Sequence, residues 1–394
     1  MFRQKFQIKI IFLFLLFSFF FFNVFSFSGS GSGTVPDPYE ITTCLELQEI
    51  EDNLSANYEL LNDVDCSSIS NFRRLGGCVG TCVVGGDDLP FSGEFNGNGY
   101  TISDVTMINL TTTDEGWGLF GNLENGSISN ISLSNAFINV TGNYVGSLVG
   151  SSSSSSSVNG SYSSGLVTGI NYVGGLVGSS SSSSSVNGSY SSSTVTGIEY
   201  VGGLIGGSFS SSVFNSYSSS SVTGIDYVGG LLGLSFLSSV FDSYSSSDVN
   251  GNRSVGGLVG VNFNSNVYNS FSVGNVNASN FSNSGSFIGV FTSVTLTNNY
   301  WNNVSGNPNI SVGSGSDVGI SVTQDNVSWY YDNTNSPLSS WDVNIWGFTG
   351  SDLPYLIGVS PTPYLSLNNS TSSTFPFGSM YIPLGFLLMY FIFQ

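Results

Sequence analysis

Val173-Gly-Gly-Leu-Val-Gly178 returns at a nearly constant interval as Val201-Gly-Gly-Leu-Ile-Gly206, Val228-Gly-Gly-Leu-Leu-Gly233 and Val255-Gly-Gly-Leu-Val-Gly260. The series opens earlier, as Gly118-Leu119-Phe120-Gly121 and Val145-Gly-Ser-Leu-Val-Gly150, and fades into Ser284-Gly-Ser-Phe-Ile-Gly289. Its period is 27 to 29 residues. A unit this short cannot bury an apolar face by itself. It must stack on its neighbours, and that is the sequence mark of a solenoid.

Two further pieces recur between the blocks. The first is Val158-Asn-Gly-Ser-Tyr162, Val186-Asn-Gly-Ser-Tyr190, Val213-Phe-Asn-Ser-Tyr217, Val240-Phe-Asp-Ser-Tyr244 and Val267-Tyr-Asn-Ser-Phe271. Valine and aromatic lie four apart, which predicts one face of one strand, with the tyrosines stacked inside. The second is Val167-Thr-Gly169, Val195-Thr-Gly197, Val222-Thr-Gly224 and Val249-Asn-Gly251. Ser, Gly and Asn are weak helix formers and β-branched residues abound, so helix is excluded here. Three strands per coil with glycine corners predict an all-β chain, a parallel β-helix with an N-terminal helix-containing cap and an aromatic-rich C-terminal cap. Roughly seven coils would extend about 34 Å.

The flanks divide accordingly. Residues 1–28 read as a signal peptide, with Arg3, Lys5 and Lys9 ahead of an apolar run and a cut after Ser28; an uncleaved signal anchor is the alternative. Residues 29–38 read as a flexible leader and 39–114 as the N-terminal cap and first coils. Within the cap, Tyr39–Thr42 predicts a strand and Thr43-Cys-Leu-Glu46 a capping box. A helix to about Leu54 follows, then a strand at Tyr58–Leu61. Residues 115–298 hold the repeats and 299–359 the C-terminal cap, whose tryptophans would plug the far end of the coil. A Ser/Thr/Pro stalk spans 360–379. Residues 380–394 are apolar but short of the ~20 residues a spanning helix needs. They predict either a GPI signal, with attachment at Asn369 or Ser370, or a plain membrane anchor.

The blocks VGGLVG, VxNSYS and VTGxxY resemble the GLUG repeat of bacterial and other cell-surface proteins. The flanks YEITTCLELQEI, FSGEFNGNGYTI, NNYW, WDVNIW and LPYL look similar to those such arrays carry, so the resemblance covers about residues 39 to 357. It implies an extracellular, adhesin-type β-solenoid without catalytic residues. Some larger members of the family also carry an HExxH zinc peptidase domain. This chain has no histidine, so that activity is not implied.

Charge and residue chemistry narrow the function classes. Charged residues make up 8% of the chain, against roughly 25% in ordinary domains. Acidic residues number 25 and basic ones 6, which excludes nucleic-acid binding through the phosphate backbone. Cys44, Cys66, Cys78 and Cys82 are an even set in an exported chain. They predict disulfides 44–66 and 78–82, with zinc as the competing reading. Fifteen Asn-x-Ser/Thr sequons follow the signal segment, among them Asn53, Asn109, Asn130, Asn139, Asn159, Asn187 and Asn277. Asp63 and Asp65 share a strand face on which a calcium ion could sit, and a solvated turn is the plainer reading. Asp87, Asp88, Glu94, Asp226 and Asp242 are the other acids a polysaccharide-cleaving β-helix could use. No catalytic residue, cofactor or metal ligand is otherwise assigned. The serine runs Ser151–Ser157 and Ser179–Ser185 read as exposed polar faces, and the tyrosines offer a sugar-stacking alternative. The repeat also aligns Asn171, Glu199, Asp226 and Arg253 in one stacked, solvated column. The partner expected is an extracellular protein or glycan, bound by a non-enzymatic surface protein. A secreted polysaccharide-binding or -cleaving β-helix is the alternative.

Overall fold

A computed structural model describes residues 27–77, 89–110, 115–280, 283–292, 295–302, 307–323 and 327–359. Cys78, Cys82, Asp87, Asp88, Asn369, Ser370, most of the signal segment and the apolar tail lie outside these residues.

The cap begins with a strand at Tyr39–Ile41 and the helix α1 at Cys44–Gln48. Thr43 and Glu46 form the capping box: Glu46 N donates to Thr43 Oγ1 at 3.2 Å, and Thr43 N to Glu46 Oε2 at 2.9 Å. The helix is shorter than its apolar spacing predicts, because Glu49–Asp52 tightens into a 3₁₀ turn. Cys44 and Cys66 are disulfide-bonded and tie the helix to the chain leaving the strand Val64–Asp65. The segment read as a flexible leader is instead paired: Glu40 N donates to Ser30 O, and Ser28 N to Glu49 Oε2. Phe27 packs 4.6 Å from Tyr39 and is buried, so a cut after Ser28 would remove a ring from this cluster.

The coil Ser185–Phe209 serves as reference for the rest. It contains β1 (Ser185–Asn187), β2 (Tyr190–Ser191), β3 (Thr194–Thr196), β4 (Glu199–Gly202) and β5 (Ile205–Phe209). That is five segments where the sequence predicted three. The Gly-Leu block, read as one strand, is split by the corner Gly203-Leu204 between β4 and β5. Equivalent segments stack in parallel into a 10-stranded sheet at β1, a 15-stranded sheet at β2 and β3, a 6-stranded sheet at β4 and an 8-stranded sheet at β5.

The register matches the repeat. Val158, Val186, Val213, Val240 and Val267 pair in order, as do Val173, Val201, Val228 and Val255. Together with Leu148, Leu176, Leu204, Leu231 and Leu258 they are wholly buried. At each corner Leu176 N donates to Leu204 O at 3.0 Å, and Leu204 N to Leu231 O at 3.0 Å.

Between β1 and β2 the chain turns through the left-handed region. Gly160, Gly188, Asn215, Asp242, Asn269 and Asn298 occupy this corner in successive coils, with φ from 47° to 58°. Only Gly, Asn and Asp enter it at low cost. This turn separates Val158 from Tyr162 onto different strands, so the prediction that both share one strand face is corrected. The valines belong to the hydrophobic core, whereas Tyr190, Tyr217, Tyr244, Phe271 and Tyr300 are buried apart from it. The serine runs are likewise not simple exposed faces. Ser152, Ser156, Ser180 and Ser184 are buried and only the turn residues Ser155, Ser182 and Ser183 are exposed, because each run passes from β5 through a turn into the next β1. Serine is small enough to alternate inside.

Candidate functional site

Three aromatic columns run along the coils, and in the first of them all but Tyr162 are buried. In the first, Tyr162, Tyr190, Tyr217, Tyr244, Phe271 and Tyr300 stack with ring centroids 4.2 to 4.8 Å apart. The C-terminal segment lies across its far half. Trp346 sits 5.6 Å from Phe271, Trp341 5.3 Å from Tyr300 and Tyr330 4.1 Å from Tyr300. Tyr244 and Tyr300 are therefore wholly buried, and burial pushes both phenols well above their ordinary range. Trp341 and Trp346 cover a flank of the coil, which corrects the expectation for those two, whereas Trp301 is buried in the hydrophobic core near the far end.

The second column is Tyr144, Tyr172, Tyr200 and Tyr227, stacked 4.6 to 5.0 Å apart. All four have φ between 53° and 59°, a region that bulky residues avoid. Desolvation, then the neighbouring tyrosines and Glu199, push the Tyr172 hydroxyl up to about 12. The third column is Phe214, Phe241 and Tyr268. In the second and third columns the rings lie within 17° of parallel, so each ring face covers the next. Only edges and hydroxyls face outward along these ladders. Sugar stacking needs a free ring face, and the tyrosine ladders supply one only at their ends.

The charged column forms in the predicted register: Asn171 pairs with Glu199, Glu199 with Asp226, and Asp226 with Arg253. It is less solvated than expected. The Asp226 side chain is 2% exposed beneath Arg253, whose Nε donates to Asp226 Oδ1 at 2.8 Å and whose Nη2 bonds Oδ2. Desolvation, and then Asp226, raise the pKa of Glu199, with Arg253 opposing.

The other acids are engaged singly. Asp242 accepts from Asn269 Nδ2 and from Trp346 Nε1, both at 3.2 Å, so it holds the C-terminal cover in place. Burial raises its pKa and these two bonds oppose the rise. Asp63 accepts from Thr101 N at 2.8 Å and Asp65 from Ser67 N at 2.8 Å. Both are exposed, and their oxygens serve turns instead of converging on an ion site. Glu94 lines a shallow cleft of about 300 Å³ with Asn57, Ser92, Asn125 and Ser127, and no second carboxylate faces it. Among the sequons, Asn130 and Asn277 are exposed, while Asn53, Asn109, Asn139, Asn159 and Asn187 are half-buried.

Sequence reasoning missed the outer face of β5. There Phe209, Phe236 and Phe263 pair coil to coil. The signal was present, because each phenylalanine lies seven residues beyond the first glycine of its block.

Comparison with known proteins agrees with this architecture. The family model described as the GLUG motif matches residues 251–277. Halomucin of Haloquadratum walsbyi is 35% identical over 108 residues, 26% of this chain and 1% of its own length. A protein named as a Gly-rich membrane protein, from Evansella cellulosilytica, is 34% identical over 113 residues, 28% of this chain and 12% of its own. The chain thus spans a small part of both relatives. A solved structure described as an immunoglobulin A1 protease from Bacteroides ovatus aligns over 83% of this chain and 94% of its own, with TM-score 0.51 and 18% identity. A second, described as IgA1 protease, aligns over 72% of this chain and 23% of its own, with TM-score 0.53 and 18% identity. At this identity the likeness concerns the fold alone. The chain is accordingly a parallel β-solenoid, and the GLUG motif matches one of its units, whose Val255 pairs with Val228 of the coil before it.

Proposed function

We propose that this chain is a non-enzymatic cell-surface solenoid with a structural or adhesive role, presenting its coil faces to an extracellular protein or glycan. The observation that carries this reading is the unbroken coil-to-coil register, which repeats the same outer columns along the solenoid. A surface assembled this way is periodic and flat, suited to extended contact and poor at enclosing a small substrate. The relatives named as a mucin and a membrane protein support surface display. The 394-residue sequence contains no histidine, so it carries no HExxH motif of the kind a zinc peptidase uses.

The alternative, polysaccharide cleavage, draws on the adjacent carboxylates Glu199 and Asp226. Engagement of Asp226 by Arg253 favours a structural use. The purified protein applied to a glycan array, with a parallel assay for new reducing ends, separates the two. Binding without new reducing ends is expected, and cleavage that Glu199→Gln abolishes would establish the enzyme instead. Anchorage is part of the proposal: lipid attachment at Asn369 or Ser370 replaces the apolar tail. Phosphatidylinositol-specific phospholipase should release the protein from cells, and recovery of residues 380–394 in the mature chain would refute the lipid anchor.

A further inference from the structure

The first aromatic ladder has an open end at Tyr162. Its ring stacks on Tyr190, 4.2 Å away, and its hydroxyl is fixed 2.9 Å from Ser192 Oγ. On the other side the preceding coil brings Ser132 into register with Tyr162, and the coil before that brings Thr101. Neither carries a ring, so the ladder drops there to small side chains and leaves one face of Tyr162 as a wall. Tyr162 alone of the six rings in this ladder is not buried.

Strand pairing carries the floor of this step to the N-terminal cap. Ser134 pairs with Ser103 and Ser103 with Asp65, while Thr101 N donates to Asp63 Oδ1 at 2.8 Å. Val64, Ile102 and Leu133 alternate with these residues and are buried, which leaves the serines, Thr101 and both aspartates at the surface. One strip thus runs from an aromatic wall across hydroxyls to two carboxylates, over three coil steps or about 14 Å. The bonds from Thr101 N and Ser67 N both end on Oδ1, so Oδ2 of each carboxylate remains an acceptor. The Ser67 N–H, and then its hydroxyl, hold the Asp65 carboxyl below its ordinary range, so it is ionised at neutral pH.

This chemistry indicates the occupant. A flat ring face takes C–H surface, whereas hydroxyl and carboxylate oxygens take hydroxyl donors. A saccharide ring offers both on one molecule. The four strands that form the strip contain no lysine or arginine, and their carboxylates repel uronates and sulfated sugars. We propose that the strip from Tyr162 to Asp63 and Asp65 binds a neutral oligosaccharide, with one sugar ring on the Tyr162 face and hydroxyls of the same chain donating to the carboxylates. The inference rests on the glycan reading above and places it at the end of one ladder.

The test is isothermal titration of the purified protein, freed of N-glycans because the exposed sequon Asn130 lies two residues before Ser132. The ligands are hexasaccharides of glucose, mannose and galactose, with oligogalacturonate as the anionic arm. A neutral hexasaccharide should bind and oligogalacturonate should not. Ser132→Tyr fills the step with the ring that stacks in the following coils, so circular dichroism should be unchanged and binding lost. Tyr162→Ala should weaken binding at least about tenfold, and Tyr162→Phe should preserve it. Binding that Ser132→Tyr leaves intact, or a preference for oligogalacturonate, would overturn this site and leave the glycan reading standing. Failure of all these sugars to bind would also overturn the site, and the glycan reading falls with it only if the glycan array is blank as well.

Discussion

Glu199 sits on one side of a buried aspartate and Arg253 on the other, and only the aspartate is neutralised. Because desolvation and Asp226 raise the folded-state pKa of Glu199, the native chain holds this proton more tightly than the unfolded chain does. Its contribution to stability is full below the ordinary value of 4.5 and is lost as pH rises through the folded value. Glu199→Gln should therefore match wild type in acid and become the more stable of the two toward neutral pH. Denaturant midpoints measured on both sides of 4.5 check this, and a gap independent of pH would contradict it. Leu237 allows a second prediction. Leu237→Asn relieves a left-handed leucine worth roughly 1–2 kcal/mol, less the burial of a half-covered side chain. A net gain of about 0.5–1 kcal/mol in unfolding free energy is the expected outcome. Ser210 and Asn264 occupy the same left-handed corner in the neighbouring coils, and the repeat alone did not reveal it as a turn. The exposure of Leu237 was not readable, because it depends on which side of the sheet the chain emerges.

The glycine pairs of the repeat are explained by what crosses them. A Cβ at Gly203 would lie inside contact distance of the Gly230 carbonyl oxygen and of Ser218 Oγ, because a buried serine column faces the glycines. Ser147 and Ser286 replace the glycine at the two ends of the glycine column, each donating to a carbonyl at 2.6 Å. In the interior, Gly203→Ala should cost about 2–3 kcal/mol, the scale of an overpacked core, and thermal unfolding would register it. A loss no larger than that of a surface alanine would show that the coils can spread. The fold class and the vertical register were legible, since identical residues at a fixed period can stack in only one way. The number of strands in each coil was not. Where the chain turns depends on single left-handed residues such as Asn215 and Asp242, and these reverse a side chain's direction without altering the period. The tyrosines were placed with the valines for that reason, and the charged column was read as solvated because the burial of Asp226 depends on Arg253 lying over it.

Along the described chain from Phe27 to Val359, the ends are treated differently. Disulfide-linked α1 closes one, while the C-terminal segment doubles back over the Tyr244–Phe271–Tyr300 column and is held by the Trp346–Asp242 bond. Trp346→Ala removes that donor and uncovers the rings, a local loss of about 3–5 kcal/mol. Hydrogen exchange should speed up over residues 338–359 and leave 145–233 protected; uniform acceleration would mean that the cover and coils unfold as one. The repeat register has a consequence for descent as well. Val201 meets Val228 as Val228 meets Val255, so excising the residues from Val201 through Tyr227 would bring Val228 beneath Val173 with every ladder continuous. Unequal crossing-over between the encoding repeats would thus yield a shorter or longer solenoid that still folds. The reach of the protein is a quantity that lineages can adjust one coil at a time, without inventing a new contact.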